Sequence, residues 1–336
     1  MEKKIINQLS ELLLTPKKCV IFPHRNPDGD ALGSTLALYH FLIKKGHDCT
    51  LISPNEYPKF LEWMPGQDNI LCFTKKEAQC RQLISEADVF FTLDFNALSR
   101  ISPIDELIEA SVKPIVMIDH HQAPEDYASI QYSDASIGST CEMVYNTLHA
   151  LDPNAIDKNI AECLYTGIMT DTGSFRFSAT SAKTHTIVAN LFDHGINHVK
   201  IHEHIYDSSR FERLQLLGLA LKNLNRIAGL NAVYTYLSQE ELDRCDFEKG
   251  ETEGFVNYGL SLEGIQLSVI LIENRQEGIV KMSFRSKGNF DVNQLAREHF
   301  NGGGHLNAAG GVSTTSLEAT REKLHAVIQR YSSELS

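Results

Sequence analysis

Lys18-Cys19-Val20-Ile21-Phe22-Pro23-His24-Arg25-Asn26-Pro27-Asp28-Gly29-Asp30 sets a short apolar run against a polar loop, and a helical stretch from about Ala31 to Lys45 follows. Four apolar residues in a row, bounded by turn formers, read as a strand buried on both faces. Gly46 stops the helix, and Cys49 to Ile52 resumes strand character. Val89-Phe90-Phe91-Thr92-Leu93 and Ile115-Val116-Met117-Ile118 repeat the pattern. Continuous apolar strands separated by helices predict a parallel sheet covered on both sides. Further helices are expected from Ser139 to Leu151 and from Asp157 to about Thr170.

Downstream the texture changes. From Ser181 to about Arg226 the chain reads as mostly helical, with a break at Gly195. Ala232–Leu237, Ile265–Ile272 and Ile279–Phe284 are strand-like, the last two joined by a polar turn, and helices are expected over Val292–Phe300 and Leu317–Tyr331. The expected fold is α/β: a parallel, doubly wound N-terminal domain over 1–185, a helical interdomain linker over 186–226, and a smaller mixed-sheet α/β C-terminal domain over 227–336.

The 336 residues suffice for two domains with separate cores. A hydrophobic fraction of 42% with 22% charged residues excludes disorder as the main state. The formal charge of −12 argues against long nucleic acid on a broad basic surface, but not against a short anion in a metal-charged pocket. No apolar run approaches the ~18 residues that cross a bilayer, so no membrane partner is expected. The N-terminal MEKKIINQLSELLLTPKK reads as an amphipathic helix without a cleavage site. Seven cysteines, none in a CxxC, read as free thiols of a cytoplasmic protein.

The chemistry follows the strands. His24, Asp28 and Asp30 come after the first, Asp94 after Val89–Leu93, and Asp119-His120-His121 after Ile115–Ile118. Ligands in open parallel sheets bind beyond the carboxyl ends of strands, so three strands deliver Asp and His to one edge. Asp171, in Met169-Thr170-Asp171-Thr172-Gly173, adds a fourth segment. So many converging carboxylates require cations between them. Aspartate oxygen with a minority of imidazole suits Mn²⁺ or Mg²⁺ better than zinc, and the number of ligands suggests two ions sharing one carboxylate. Taken singly, each of these residues is an ordinary cap or turn residue. Their placement together is what carries the reading.

His24-x3-Asp28-x-Asp30, Asp94, Asp119-His120-His121 and Asp171 resemble the four motifs of the DHH phosphoesterase superfamily. Gly302-Gly303-Gly304-His305-x2-Ala308-Ala309-Gly310 resembles the glycine-rich motif of the DHH-associated C-terminal domain, and Ser283-Phe284-Arg285-Ser286 resembles its arginine-bearing strand. The resemblance spans nearly the whole chain and looks most like the two-domain NanoRNase/pAp phosphatase type.

It implies an active site in the interdomain cleft. His24, Asp28 and Asp94 would hold one metal, and Asp30, Asp94, His120 and Asp171 the other, with Asp94 bridging. Asp119 would orient an imidazole, and His121 would face the substrate. Arg285, His305 and the backbone of Gly303 and Gly304 would hold a terminal phosphate. Without the resemblance, Gly302–Gly304 reads as a flexible turn.

The implied activity is Mn²⁺-dependent hydrolysis, through two-metal activation of water, of very short oligoribonucleotides to mononucleotides and of 3′-phosphoadenosine 5′-phosphate (pAp) to AMP. The alternative is a phosphodiesterase for cyclic or linear dinucleotides such as c-di-AMP and pApA. A pyrophosphatase of the superfamily would carry a C-terminal Ser-Arg-Lys signature, which is missing here, and a catalytically idle sensor would lack a ligand position. Assembly is left open between monomer and homodimer.

Two features sit beside the main reading. Phe175-Arg176-Phe177 follows Asp171 and offers Arg176 and Phe177 as contacts for a phosphate and a base. His194, His198, His202 and His204 have partly metal-like spacing, but they read as a solvated helix face rather than as ligands.

Overall fold

The computed structural model describes residues 3–336; Met1 and Glu2, at the head of the expected N-terminal helix, lie outside the described residues. The chain divides into a unit ending at Ser208 and a second unit, Ser209–Ser336.

The first unit runs α1 (Lys3–Leu12), β1 (Lys18–Pro23), α2 (Gly29–Lys44), β2 (Asp48–Ser53), β3 (Ile70–Cys72), α3 (Glu77–Glu86), β4 (Val89–Leu93), α4 (Asp105–Glu109), β5 (Ile115–Asp119), β6 (Ile130–Ser133), α5 (Thr140–Leu151), α6 (Lys158–Asp171), α7 (Ala182–Asp193) and α8 (His198–Tyr206). Its six strands are all parallel, in the order β3-β2-β1-β4-β5-β6. The apolar runs supply both faces. Cys19 and Ile21 of β1, Phe91 and Leu93 of β4, and Val116 and Ile118 of β5 pack with α2, α5 and α6. The intervening Val20, Phe22 and Phe90 face the opposite layer with Ile84, Phe95 and Ile108. Period-two alternation between two apolar layers is what a doubly wound sheet requires.

The strand order reverses between β1 and β4, which are neighbours in register from Cys19↔Val89 to Pro23↔Leu93. That is the topological switch point, where a crevice opens outside the strand ends. The helices behind it approach closely. A Cβ at Gly33 would stand 2.5 Å from the Cys163 carbonyl oxygen, and one at Gly167 would stand 2.2 Å from Cys141 Sγ and 2.8 Å from Asp30 Oδ1. Only hydrogen at these positions lets α2, α5 and α6 bring their ends together beneath the crevice.

The second unit runs α9 (Phe211–Lys222), β7 (Asn225–Arg226), β8 (Ala232–Leu237), α10 (Gln239–Arg244), α11 (Phe255–Leu260), β9 (Leu267–Asn274), β10 (Ile279–Ser286), α12 (Val292–His299), β11 (Gly303–His305), β12 (Ala308–Ser313) and α13 (Leu317–Gln329). Its sheet has the order β11-β12-β10-β9-β8-β7 and is mixed: β8 and β9 are parallel and every other pair is antiparallel. Val269, Leu271, Met282, Phe284, Phe300 and Leu324 build one core face; Leu216, Leu237, Phe255 and Ile270 build the other.

Two local expectations change. The helical stretch 186–226 is shared out rather than standing as a linker. Helices α7 and α8 contribute Ile187, Leu191 and Ile201 to the first unit's core, while α9 contributes Leu216 and Ala220 to the second. The glycine run is no flexible turn: Gly303–His305 is strand β11, paired with β12 from Gly303↔Gly310 to His305↔Ala308. Gly304 has φ +153°, and a Cβ there would stand 2.4 Å from the Ala308 carbonyl oxygen. Here glycine serves close strand approach.

Candidate metal centre

The centre is built from the residues that leave the strand ends. His24 follows β1 and is buried. Its Nδ1 lies 2.8 Å from the Arg25 carbonyl oxygen, which can only accept, so Nδ1 carries the proton and Nε2 presents its lone pair. That Nε2 sits 3.5 Å from Asp94 Oδ2 and 3.9 Å from Asp28 Oδ2. Asp28 caps α2, its Oδ1 accepting from the N–H groups of Asp30 and Ala31. The cap fixes the carboxylate so that its second oxygen turns towards His24.

Asp30, in the first turn of α2, is held from the other side. Its Oδ2 accepts from the Thr140 N–H at 2.6 Å and its Oδ1 from the Cys141 N–H at 2.9 Å. Those are the first two amides of α5, whose N-terminus favours an anion. His120 donates from Nδ1 to the Ile137 carbonyl at 3.1 Å. This aims Nε2 at Asp171 Oδ2 (3.3 Å), Asp94 Oδ1 (3.5 Å) and Asp30 Oδ2 (3.8 Å). Asp171 closes α6.

Asp94 stands between the two groups, with Oδ2 towards His24 and Oδ1 towards His120. It has φ +66°, a left-handed conformation that costs a non-glycine residue of order 1–3 kcal/mol. Its amide is anchored to the Ile118 carbonyl, and Oδ1 accepts from the Thr140 hydroxyl at 2.9 Å. Two sets of three ligand atoms, His24/Asp28/Asp94 and Asp30/His120/Asp171, each lie within 4.8 Å of one another.

The electrostatics carry the signature of a cation site. Burial, and then the charge of Asp171, lift Asp30 to about 7. Burial, followed by Asp30 and Asp28, pushes Asp94 well above the carboxylate range. Burial also lowers His24, and it holds His121 well below the usual imidazole range with help from His120 and Arg100. Neutral imidazoles with inward lone pairs and crowded carboxylates that resist ionisation are relieved together by divalent cations. The donor set of hard oxygen with imidazole nitrogen suits Mn²⁺ or Mg²⁺.

Asp119, fully buried at the end of β5, lies 2.7 Å through Oδ1 from His121 Nδ1. The imidazole it orients is therefore His121 and not His120, whose Nδ1 is held by the Ile137 carbonyl. Arg176 is exposed and donates from Nε to the Gly173 carbonyl, while Phe177 is exposed with its ring over Gly173. Gly173, Ser174 and Phe175 are three consecutive residues with positive φ, next to Asp171.

In the second unit Arg285 and His305 are both in register with Ala308, on strands either side of β12, so the three side chains share one sheet face. The Gly304 N–H donates to Asn293 Oδ1 at 2.9 Å. Its amide is thus committed within the unit and is not turned outward to an anion, contrary to what the glycine motif suggested. Thr140, Cys141 and Ile137 went unnoticed in the sequence; the one signal for them was Ser139-Thr140 at a helix start.

Fold and site together define a two-domain α/β protein with a carboxylate–imidazole centre at the switch point of a parallel sheet. Residues 18–168 match the model of the DHH family, N-terminal domain, and residues 229–334 match that of the DHHA1 domain. The chain belongs to the DHH family.

It is similar to an exopolyphosphatase-related protein of Bacteroides fragilis, with 38% identity, a TM-score of 0.93, and coverage of 98% of this chain and 97% of that one. It is 31% identical to the bifunctional oligoribonuclease and PAP phosphatase NrnA of Thermus thermophilus, over 90% of this chain and 89% of that protein. Similarity at 26% to the cyclic-di-AMP phosphodiesterase GdpP of Geobacillus thermodenitrificans covers 97% of this chain and 49% of that protein.

Proposed function

We propose that this chain is a phosphoesterase that hydrolyses very short oligoribonucleotides to mononucleotides and pAp to AMP. The observation that carries the reading is Asp94, whose two carboxylate oxygens face the imidazoles of two adjacent ligand sets. His24, Asp28 and Asp94 would hold one divalent cation, and Asp30, Asp94, His120 and Asp171 the other. Mn²⁺ is the proposed ion, with Mg²⁺ as the alternative. Such a pair neutralises the phosphate and lowers the pKa of attacking water.

The chain's own residues do the rest. Asp119 holds His121 in one orientation, and His121 stabilises the charge developing on phosphate or hands a proton to the departing ribose oxygen. Arg285 and His305 hold the far phosphate of the substrate, from one face of the second unit's sheet. The Gly303 backbone borders the same phosphate, and Gly304 acts by letting β11 and β12 approach closely. Arg176 and Phe177 lie beside the Asp171 segment and serve the leaving nucleoside. The substrate class is supported by the similarity to the oligoribonuclease and PAP phosphatase of T. thermophilus over nine-tenths of both chains.

A second reading, cleavage of cyclic dinucleotides, draws on the 26% identity to a cyclic-di-AMP phosphodiesterase, of which this chain spans about half. No helix among the described residues is long and apolar enough to cross a membrane. The seven free cysteines fit a reducing, cytoplasmic setting.

The test is a parallel incubation with Mn²⁺ and four substrates: pAp, an RNA dinucleotide, cyclic di-AMP and pyrophosphate. Turnover of the first two supports the reading. Turnover of cyclic di-AMP alone would replace the substrate and keep the chemistry.

A further inference from the structure

Next to the centre, the first unit exposes more aromatic surface than its fold needs. Helix α8 carries His198, His202 and Tyr206 at i, i+4 and i+8, one side of a helix. Their rings follow one another at 6.4 Å and 5.8 Å. Phe192, at the end of α7, extends the row, its ring 4.9 Å from His198, and Tyr165 of α6 lies behind both Phe192 (5.8 Å) and His202 (6.1 Å). Phe192 is 40% exposed and Tyr206 45%, so water covers rings that a core would have buried.

The row is joined to the metal centre. Ser174 Oγ lies 3.4 Å from His202 Nε2, three residues beyond Asp171, and the neighbouring Phe175 ring is 6.0 Å from Tyr165. The joining segment, Gly173–Phe175, is the one held in left-handed conformation. Strained backbone here fixes where the path away from Asp171 starts.

We propose that the Phe192–His198–His202–Tyr206 row is a base-stacking track for the nucleotides of an oligoribonucleotide beyond the one being cleaved. This rests on the oligoribonuclease reading above. Aromatic faces bind any base, because every base has a π-face, so the track is blind to sequence and sensitive to length. A row of aromatic rings also suits a protein whose net charge of −12 disfavours gripping phosphates along a longer strand. A second copy of this chain is the competing occupant, but the row's continuity with the Asp171 segment favours substrate. The spacing read in the sequence as a solvated histidine face thus acquires a ligand other than a metal.

The experiment compares Phe192→Ala, His198→Ala and Tyr206→Ala with the parent on pAp and on RNA of two, three and five nucleotides, in Mn²⁺. The track predicts that the KM for the pentamer rises roughly tenfold in each variant, a loss within the range of one stacked base. Turnover of pAp, which has one nucleoside and cannot reach the row, stays within twofold and shows that the variants are folded. Phe192→Tyr and Tyr206→Phe keep the parent's pentamer KM.

If the parent cleaves both substrates while the variants keep its pentamer-to-dinucleotide ratio, the track is wrong and the enzyme reading stands. If instead sedimentation changes and the ratio does not, the row joins copies of the chain and the track is again overturned. If the parent cleaves neither RNA nor pAp, both proposals fall.

Discussion

His121 and Asp119 share a 2.7 Å contact between Nδ1 and Oδ1 at the carboxyl end of β5, with both side chains buried. The contact fixes the ring plane and leaves Nε2 as the second nitrogen, the geometry on which the role proposed above for His121 rests.

Asp119→Asn keeps the shape of the side chain and removes the charge that positions His121. The expected result is a fall in kcat of about 10²-fold on an RNA dinucleotide, within the usual range for a proton-transfer partner. KM should move little, and the number of Mn²⁺ ions bound per chain should not change. Steady-state kinetics with parallel metal counting checks both parts.

The carboxylates make the metal-free protein sensitive to pH in an unusual direction. Asp30 is lifted from the ordinary carboxylate range to about 7 in the folded chain, chiefly by burial. The folded state therefore binds this proton more tightly than the unfolded state. Its contribution is fully present below about pH 4 and is lost as pH rises through 7. Asp94 is displaced in the same direction. Chelator-treated protein should thus have a higher urea midpoint at pH 7 than at pH 8.5, a range above the one in which the lowered His24 and His121 act in the opposite sense, and saturating Mn²⁺ should remove most of that difference. Equal midpoints without metal would show that the carboxylates are not crowded as described.

Gly167→Ala tests the helix packing beneath the centre. The added methyl would stand 2.2 Å from Cys141 Sγ and 2.8 Å from Asp30 Oδ1, so α6 must move away. A loss of about 1–3 kcal/mol is expected, as for other overpacked sites, with weaker Mn²⁺ binding because Asp30 shifts. Thermal unfolding and metal titration report the two effects separately.

Much of this was legible in the sequence because the parallel sheet writes itself as apolar runs. Val89–Leu93 and Ala232–Leu237 match their expected bounds, and each polar residue expected at a strand end is found there. Burial on both faces removes the ambiguity that short strands otherwise carry.

What stayed hidden depended on tertiary partners. β11 and the Ala308-Ala309-Gly310-Gly311 start of β12 lack β-branched or aromatic residues and are strands only because β10 offers a ladder. Short β3 and β6 complete the sheet edges with little signal of their own. The grip of Thr140 and Cys141 on Asp30 joins residues 110 and 111 apart through backbone amides, which no side-chain pattern reports. The stretch 186–226 is helical up to Lys222 and ends in strand β7, and the choice of core for each helix rests on faces such as Leu216 and Ala220 against Ile270.

On the function proposed above, Asp94 is shared by two divalent cations and hydrolysis depends on both. Asp94→Asn should fold, since the Asn oxygen can still accept from the Thr140 hydroxyl that now binds Asp94 Oδ1. The direct measurement is its Mn²⁺-supported hydrolysis of an RNA dinucleotide beside the parent. A loss of about 10³-fold or more is expected from removing such a charge from the reacting centre. Hydrolysis at the parent's rate would show that Asp94 is not shared between two catalytic cations.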